Sequence, residues 1–421
     1  MRRNVTLTAM LAGVVAATSL GLAGSASGQS PSPQPLAPLV ADSGAASQVP
    51  DRYIVVTQGA APEVAEAARA AGGTIGLTYS TTLSGFSAEL PEAAVTALRA
   101  HPRVKYVEAV HRRQAPEVDV RNEGPAKGQT SAPARTAAAA PWALDRIDQR
   151  TLPLDSRFAV ANTGKGVNAY VIDSGIRATH QEFGGRVKSG FSAIKDGRGT
   201  NDCHGHGTFV ASEVGGKTYG VAKDVTLHAV RILNCSNSGT TEQIVAGMDW
   251  TAKNHVAPAV ANMSIQSDKG ETSQAMDEAA AGLIDSGVVL VLIAGNWGDN
   301  RCTNSPKDPR AIITAASTRT DKRNSGRNPS SYGSCVTLFA PGADVSGAAI
   351  KNDTAVATGW NGTSMAAPLV TGTIANAQQS NPGLTMGQAK DLVVANSTKD
   401  VLTDIGTGSP NRLLYAGATG S

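Results

Sequence analysis

The segment VNAYVIDSGI at 167–176 is a nearly continuous apolar run that stops at an acidic residue followed closely by a glycine. Similar runs recur downstream, and helical patterns separate several of them. The runs are TLHAVRIL (226–233), AVANMSI (259–265), GVVLVLIAGN (287–296) and AIITAAS (311–317), with helical patterns over 241–254 and 273–287. Apolar strands that alternate with helices are typical of a parallel sheet covered by helices on both faces. The sequence therefore predicts an α/β fold whose functional site lies beyond the carboxyl ends of the strands.

A smaller domain precedes this pattern. Residues 51–112 contain strand-like and helical segments in alternation, which predicts a small α+β domain. The strand-like segments are 52–57, 83–90 and 104–110, and the helical ones are 62–73 and 91–102. Stretches rich in Pro and Ala flank the domain, so we predict a linker over 29–50, a processing linker over 113–135 and a main domain over 136–421. We expect a processing cut between about Ser131 and Ala140.

The N-terminus has the pattern of an export signal. Arg2 and Arg3 precede an apolar run from Thr6 to Ala23, and small residues continue to Gly28. This pattern predicts a signal peptide over 1–28, and the short run rich in small residues makes a membrane anchor the weaker alternative. We therefore expect a secreted, extracellular protein that has no membrane contact after the signal is removed. We also expect it to be a monomer.

Charge and cysteine content narrow the function further. The formal net charge of +3 is small for 421 residues and gives no argument for a nucleic-acid partner. Four cysteines in an exported chain predict two disulfides, with three pairings possible. A zinc site is a poor alternative because the chain contains no pair of cysteines with two residues between them and because the expected compartment is oxidising.

Three short segments place reactive side chains at element ends. They are YVIDSGI (170–176) with Asp173, HGHGTFVA (204–211) with His206, and GTSMAAP (362–368) with Ser364. A serine that attacks a carbonyl needs a base for its proton and an acid that orients that base. Taken singly, Asp173 reads as a strand-end cap, His206 as a buried structural histidine and Ser364 as a helix cap. Their joint occurrence in this order favours a catalytic triad.

These motifs, together with 219–250, resemble those of the subtilisin-like serine proteases of the proteinase K and aqualysin group, over about Pro141 to Ser421. Residues 51–112 resemble the inhibitory propeptide of these enzymes. The resemblance implies that Asp173 orients His206, which is the general base, and that Ser364 is the nucleophile. It also implies that Asn296, in the AGN segment 294–296, and the backbone N–H of Ser364 stabilise the oxyanion. Peptide substrates and the chain's own propeptide are then the expected partners.

The resemblance further implies that the substrate lies as a strand between two edges, next to a pocket for the residue before the cut. The implied substrate-binding residues are Ser238, Gly239, Ser264, Ile265, Gln266, Ile293, Ala294 and Gly295. The family's pattern has Gly where this chain has Gln266 and Ala where it has Ile293. We expect broad specificity that favours apolar or aromatic residues before the cut, with Gln266 and Ile293 reshaping the pocket.

Disulfides and calcium follow from the same resemblance. It implies bridges between Cys203 and Cys235 and between Cys302 and Cys335. It also implies structural calcium, although catalysis needs no cofactor. The implied ligands are Asp145, Asp148, Gln149 and Asp155, for which a solvated polar turn is the alternative. A second calcium site of the family uses carbonyls near Pro309 and Ala311 with an Asp where this chain has Thr337, so we expect it to be weak or absent.

One rival function belongs to another class. Downstream of His206 the chain has Phe209 where the family has His, and Ser212 and Glu213 where it has Gly and Thr. These departures, with Gln266, motivate a secreted pseudoprotease that binds peptides without cutting them. Release of the chain's own propeptide discriminates the two, because only an active enzyme achieves it unaided.

Overall fold

The computed structural model describes residues 35–40, 47–59, 61–115, 123–124, 139–300 and 302–417. The predicted signal peptide and nearly all of the predicted cut range lie outside these residues, as does most of both predicted linkers. No helix of the described part is long and apolar enough to cross a membrane.

The small N-terminal domain is a sheet with two helices on it. Its strands are Leu39–Val40 (β1), Gln48–Thr57 (β2), Thr74–Tyr79 (β3), Gly85–Glu89 (β4) and Val104–Gln114 (β5), and its helices are Pro62–Ala70 (α1) and Glu92–Arg99 (α2). The strand order is β1-β5-β2-β4-β3. Strand β2 begins within the range predicted as a linker, and β5 extends beyond the predicted end of the domain at residue 112. Buried side chains between sheet and helices give this domain a hydrophobic core of its own.

The main domain alternates strands and helices as the sequence predicts. Its helices are Trp142–Ile147 (α3), His206–Gly215 (α4), Thr241–Asn254 (α5), Gln274–Asp285 (α6), Thr363–Ser380 (α7) and Met386–Asn396 (α8). The strands in chain order, after the short β6 (Glu123–Gly124), are Asn168–Asp173 (β7), Val187–Ser192 (β8), Thr226–Arg231 (β9), Ser238–Thr240 (β10), Ala259–Met263 (β11), Val289–Ile293 (β12), Ile312–Ser317 (β13), Leu338–Pro341 (β14), Val345–Ala348 (β15), Val356–Trp360 (β16), Thr398–Lys399 (β17) and Arg412–Leu413 (β18).

A nine-stranded sheet is the centre of the described main domain. Its order is β8-β9-β7-β11-β12-β13-β14-β18-β17, and every neighbouring pair is parallel except β18 and β17. Helix α4 packs on α7 and α5 packs on α6, and both pairs also contact the parallel strands. The strands β11 and β12 are buried along their whole length. These findings confirm the predicted fold class, and they put the carboxyl ends of β7 and β11 next to each other.

Candidate active site

Asp173 and His206 form a buried hydrogen-bonded pair. Asp173 is the last residue of β7, and His206 is the first residue of α4. The ring atom Nδ1 of His206 lies 2.7 Å from Oδ1 and 2.9 Å from Oδ2 of Asp173, and neither side chain is exposed to solvent. This contact fixes the ring so that Nε2 faces away from the carboxylate. Nε2 is buried and has no hydrogen-bond partner in the described part of the chain.

The start of α4 is held in place by groups that are not part of the pair. Gly207 follows His206, and a Cβ at Gly207 would collide with the backbone oxygen of Gly175 in the turn after β7. Asp202 anchors the same turn with both carboxylate oxygens. They accept hydrogen bonds from the backbone N–H groups of His204, Gly205 and Thr208 and from the hydroxyls of Ser174 and Thr208. Asp202 was not predicted from the sequence, although an acid within a few residues of a helix start suggests an acceptor for free backbone N–H groups.

Ser364 is the second residue of the long helix α7. Its hydroxyl donates to the backbone oxygen of Ser264 at 3.3 Å, and the hydroxyl of Ser264 donates to the backbone oxygen of Ser364 at 3.2 Å. The serine hydroxyl therefore does not point at His206 in this state. Catalytic hydrogen bonds of this kind often tighten only when substrate is bound.

Asn296 lies against the start of the same helix. Its Oδ1 accepts hydrogen bonds from the backbone N–H of Thr363 at 2.8 Å and from the Thr363 hydroxyl at 3.0 Å. These contacts settle the orientation of the amide, and its Nδ2 is buried without a partner among the described residues. A buried, oriented N–H donor beside a helix N-terminus is well suited to stabilising negative charge.

The chain's own small domain sends a strand into a cleft of the main domain. The end of β5 pairs antiparallel with β10, with Gln114 opposite Ser238 and Arg113 opposite Gly239. The backbone N–H of Ala115 continues this ladder by donating to Asn237 O at 3.0 Å. The predicted edge at Ser238 and Gly239 is thus an edge to which an extended peptide adds as a strand.

A pocket of about 230 Å³ lies at the end of this strand. Its lining includes Gln114, Ala115, Gln266, Asp268, Ile293, Gly295, Asn296, Trp297 and Asn328. Gln266, Ile293 and Gly295 were predicted from the sequence, whereas the neighbouring Ala294 instead belongs to a separate buried cluster. Ser264 and Ile265 are fully buried beside the pocket. Trp297, which directly follows Asn296, was not predicted from the sequence.

The side chains of Gln266 and Trp297 lie against Gly295 and narrow this pocket. Gly295 has a φ of +97°, and an added Cβ there would collide with Nε2 of Gln266 and with the ring of Trp297. The Nε2 atom of Gln266 is buried and has no hydrogen-bond partner in the described part of the chain. The pocket lining therefore mixes apolar side chains such as Ile293 with polar ones. Two amide donors in it, Nε2 of Gln266 and Nδ2 of Asn296, have no partner among the described residues.

Charged side chains join the small domain to the main domain outside the cleft. Arg52 pairs with Glu242 at 2.7 Å, and Asp249 accepts hydrogen bonds from the backbone N–H groups of Thr81 and Thr82 at 2.7 and 2.8 Å. Glu108 accepts from the Ser273 hydroxyl and from the backbone N–H of Ala275, so it caps helix α6. A carboxylate at a helix N-terminus is stabilised by the free N–H groups and by the helix dipole.

The departures after His206 are accommodated within the fold. The ring of Phe209 stacks on Trp360 with ring centroids 4.2 Å apart. The hydroxyl of Ser212 donates to the backbone oxygen of Phe209 at 2.7 Å and accepts from the backbone N–H of Ala348 at 2.9 Å. Phe209 and Ser212 are therefore packing substitutions that leave the Asp173–His206 contact intact. For Glu213, by contrast, Oε2 has no hydrogen-bond partner among the residues that the structure describes.

Both disulfides have the pairing that the resemblance implies. Cys203 is bonded to Cys235, and Cys302 is bonded to Cys335. In the described residues, the one group of three or more His, Cys, Asp or Glu with ligand atoms within 4.8 Å of one another is Asp196, Cys203 and Cys235. Since these cysteines are bonded to each other, the group is not a metal site.

The predicted calcium residues lie at the end of helix α3, which contains Asp145, and in the segment that follows it. The backbone N–H of Asp155 donates to Asp145 Oδ1 and to Gln149 Oε1, both at 3.2 Å. Oδ1 of Asp148 is buried without a partner, and burial, with the charges of Asp145 and Asp155 adding to it, raises the pKa of Asp148 to about 6. Oxygen donors and mutually repelling carboxylates suit a hard cation. The ligand atoms of these residues do not, however, form a group in which all lie within 4.8 Å of one another. Calcium binding here stays a prediction, which thermal unfolding with calcium and with a chelator tests.

The second calcium position of the resemblance is filled by a side chain. The Nζ atom of Lys390 donates to the backbone oxygens of Pro309 at 2.6 Å and of Ala311 at 3.1 Å. The hydroxyl of Thr337 accepts from the backbone N–H of Ile313 at 3.1 Å. The ammonium group of Lys390 thus forms hydrogen bonds with the two backbone oxygens that a metal ion would otherwise contact. Lys390 lies more than fifty residues from these groups in sequence, so no local pattern reveals it.

Comparison with known proteins gives consistent matches. The subtilase family matches residues 164–414, and the peptidase inhibitor I9 family matches residues 46–115. The extracellular serine proteinase of Thermus sp. (strain Rt41A) is 44% identical over 345 residues, which cover 82% of this chain and 78% of the relative. Alkaline serine exoprotease A of Vibrio alginolyticus is 38% identical over 383 residues, covering 87% and 68%. The crystal structure of a cold adapted subtilisin-like serine proteinase aligns with a TM-score of 0.63 and 43% identity, covering 66% of this chain and 99% of that one.

Proposed function

Because this chain belongs to the subtilase family of serine proteases, we propose that it is a secreted endopeptidase whose catalytic residues are Asp173, His206 and Ser364. The observation that carries the assignment is the buried contact of 2.7 Å between His206 Nδ1 and Asp173 Oδ1, since the helix that begins at His206 packs on the helix that bears Ser364. The relative from Thermus sp. (strain Rt41A) is an extracellular serine proteinase, which supports secretion of this chain. The comparisons give no support to the pseudoprotease alternative.

The reaction we propose passes through an acyl-enzyme. His206 Nε2 takes the proton of the Ser364 hydroxyl while Oγ attacks the carbonyl carbon of the substrate. Asp173 holds the ring in the tautomer that leaves Nε2 free and stabilises the imidazolium that forms. His206 then gives the proton to the leaving amine, and a water molecule activated in the same way releases the acyl group. No step requires a metal or an organic cofactor.

Asn296 is the residue we propose as the side-chain donor to the oxyanion, together with the Ser364 backbone N–H. Replacing Asn296 by alanine is expected to lower kcat about 100- to 1000-fold while KM changes little, because this donor acts on charge that develops only in the transition state. Steady-state hydrolysis of a chromogenic peptide measures both constants.

An aspartate at the same position is the matched variant. Asn296→Asp keeps the oxygen that accepts from Thr363 and replaces the Nδ2 donor with a second carboxylate oxygen, whose negative charge repels the oxyanion. It should lose kcat as severely as the alanine variant while keeping the wild-type melting temperature. A kcat within tenfold of the wild type for both variants contradicts the oxyanion role.

We propose that the small domain is an intramolecular inhibitor that occupies the substrate cleft. The end of β5 pairs with the edge at Ser238 and Gly239. Ala115, the next residue along the chain, lines the pocket of about 230 Å³. The first bond presented to Ser364 then follows Ala115 closely, upstream of the range 131–140 expected from the sequence. A cut within 131–140 is in that case a later trimming step.

A time course tests the proposed function directly. The purified precursor should shorten by self-cleavage before it hydrolyses casein, and N-terminal sequencing of each product locates the cuts. Casein hydrolysis at full rate by the uncut precursor would disprove inhibition. The endopeptidase function would be disproved if the precursor stays uncut and shows no activity even after another protease has removed the small domain.

We propose that the 230 Å³ pocket receives the residue before the cut and that Gln266 limits its depth. Substitution Gln266→Gly should raise the ratio of kcat/KM for phenylalanine over alanine at this position by about tenfold or more, because the side chain that narrows the pocket is removed. Peptide substrates that differ only at that residue give the ratio.

A glutamate at position 266 separates size from hydrogen bonding. Gln266→Glu keeps the volume of the side chain and removes the free Nε2 donor. Its ratio for phenylalanine over alanine should stay close to that of the wild type. If the glutamate and glycine variants shift the ratio equally, pocket depth is not the determinant.

A further inference from the structure

A second cavity, of about 570 Å³, lies between the start of the main domain and helix α4, which begins at His206. Trp142 and Leu144 of α3 line it on one side, and Glu213 of α4 and Tyr219 line it on another. Arg319 and Asp344, both exposed, also belong to its lining. None of the three proposed catalytic residues contributes to this cavity.

Glu213 is the unusual member of the lining. It lies two turns after His206 on α4 and is 2% exposed. Its Oε2 is buried without a hydrogen-bond partner in the part of the chain that the structure describes, and burial alone raises its pKa well above the ordinary value. Burying a carboxyl group with no partner costs free energy whether the group is charged or neutral. Its place in the last turn of a helix adds to that cost, because the helix dipole disfavours negative charge there.

A ligand with positive charge and hydrogen-bond donors would satisfy Glu213 best, because it stabilises the ionised carboxylate that burial alone disfavours. A primary ammonium group provides both, and an aliphatic chain attached to it can pack on Leu144 and on the Trp142 ring. An anion would face the carboxylate of Glu213, and a single buried carboxylate is too few ligands for a hard metal ion. The guanidinium of Arg319 lies over the Trp142 ring at 5.5 Å and is exposed, so solvent screens its repulsion of a bound cation.

We propose that this cavity binds a primary ammonium group, which pairs with Glu213. The ammonium group has two possible sources with the same chemistry. One is a free aliphatic amine. The other is the new amino terminus created by a cut within 131–140, since Ala140 lines the cavity and an extended residue spans about 3.3–3.6 Å. The second source rests on the proposed function, because it requires processing of the precursor.

The experiment compares the wild-type side chain with Glu213→Gln in two forms of the protein. One form is the full chain carrying Ser364→Ala, which is expected to stay uncut, and the other is the processed enzyme. Each is titrated with n-butylammonium chloride by calorimetry and by tryptophan fluorescence, with n-butanol and sodium chloride as neutral and ionic controls. Asp224→Asn, an exposed carboxylate of the main domain, is the matched control variant.

Two results support the proposal and identify the source. If a free amine is the natural ligand, n-butylammonium binds both forms, with a dissociation constant at least tenfold lower than in Glu213→Gln. If the new terminus is the ligand, the amine binds only the uncut form, and Glu213→Gln lowers the melting temperature of the processed form alone.

The proposal is overturned if no amine binding depends on Glu213 in either form and the substitution shifts the melting temperature of both forms equally. That result would mean that the cavity holds only water. Failure of the proposed endopeptidase function would be seen separately as an uncut, inactive wild type, and the titration of the full chain would still decide whether the cavity binds an ammonium group.

Discussion

Replacing Ser364 by alanine is expected to leave the precursor at full length and to lower the hydrolysis of casein by a factor on the order of a million. The substitution removes only the Oγ atom, which in this structure donates to the backbone oxygen of Ser264. Without Oγ no acyl-enzyme forms, and the general base has no hydroxyl to deprotonate. A denaturing gel over time and a casein assay measure the two effects.

The matched control lies on the same helix. Ser380 is the last residue of α7 and is exposed, so Ser380→Ala should be processed and active like the wild type. If Ser364→Ala shortens itself at the wild-type rate, the serine is not the nucleophile. Shortening only in mixtures with active wild type would instead indicate cleavage between molecules, which leaves the assignment intact.

Replacing Asp173 by asparagine is expected to lower kcat about 10⁴-fold with little change in KM. An asparagine N–H can donate to Nδ1 of His206, where the carboxylate now accepts at 2.7 Å. The ring then carries its proton on Nε2 and cannot take one from Ser364. Because the site is fully buried, water cannot substitute for the missing acceptor.

Asp224→Asn is the control for this substitution, since it makes the same chemical change at an exposed position. Its kcat should match that of the wild type. Steady-state hydrolysis of a peptide substrate, with the variants processed by added wild-type enzyme, gives both values. A loss smaller than tenfold for Asp173→Asn would show that this carboxylate does not orient the base.

The fold of the main domain was predictable because its signal is local. The runs at 226–233, 259–265 and 311–317 are strands of one parallel sheet, as their continuous apolar character indicates. Burial of a strand against helices requires apolar residues at nearly every position, so the pattern can be read without knowing the neighbours. Strands β3 and β8 were missed, because both are partly exposed and carry polar residues that weaken this signal.

The proposed triad was also predictable, whereas the residues that support it were not. Asp173, His206 and Ser364 each lie in a short motif at the end of a strand or at the start of a helix. Asp202 acts through hydrogen bonds to several groups around it, and Trp297 acts by closing one side of a pocket. Contacts of these kinds depend on how loops meet, which hydrophobic periodicity does not encode.

The sequence by itself determined the architecture, the cysteine partners implied by the family and the three residues proposed for catalysis. Only the tertiary structure decided that Lys390 donates to the backbone oxygens of Pro309 and Ala311 and that the strand ending at Ala115 pairs with the edge at Ser238. It also decided that Oε2 of Glu213 is buried without a partner in the described part of the chain. The physical reason is the range of the interactions. Periodicity and capping act over a few residues of chain, whereas an ion pair or a cavity forms between groups that folding brings together from distant positions.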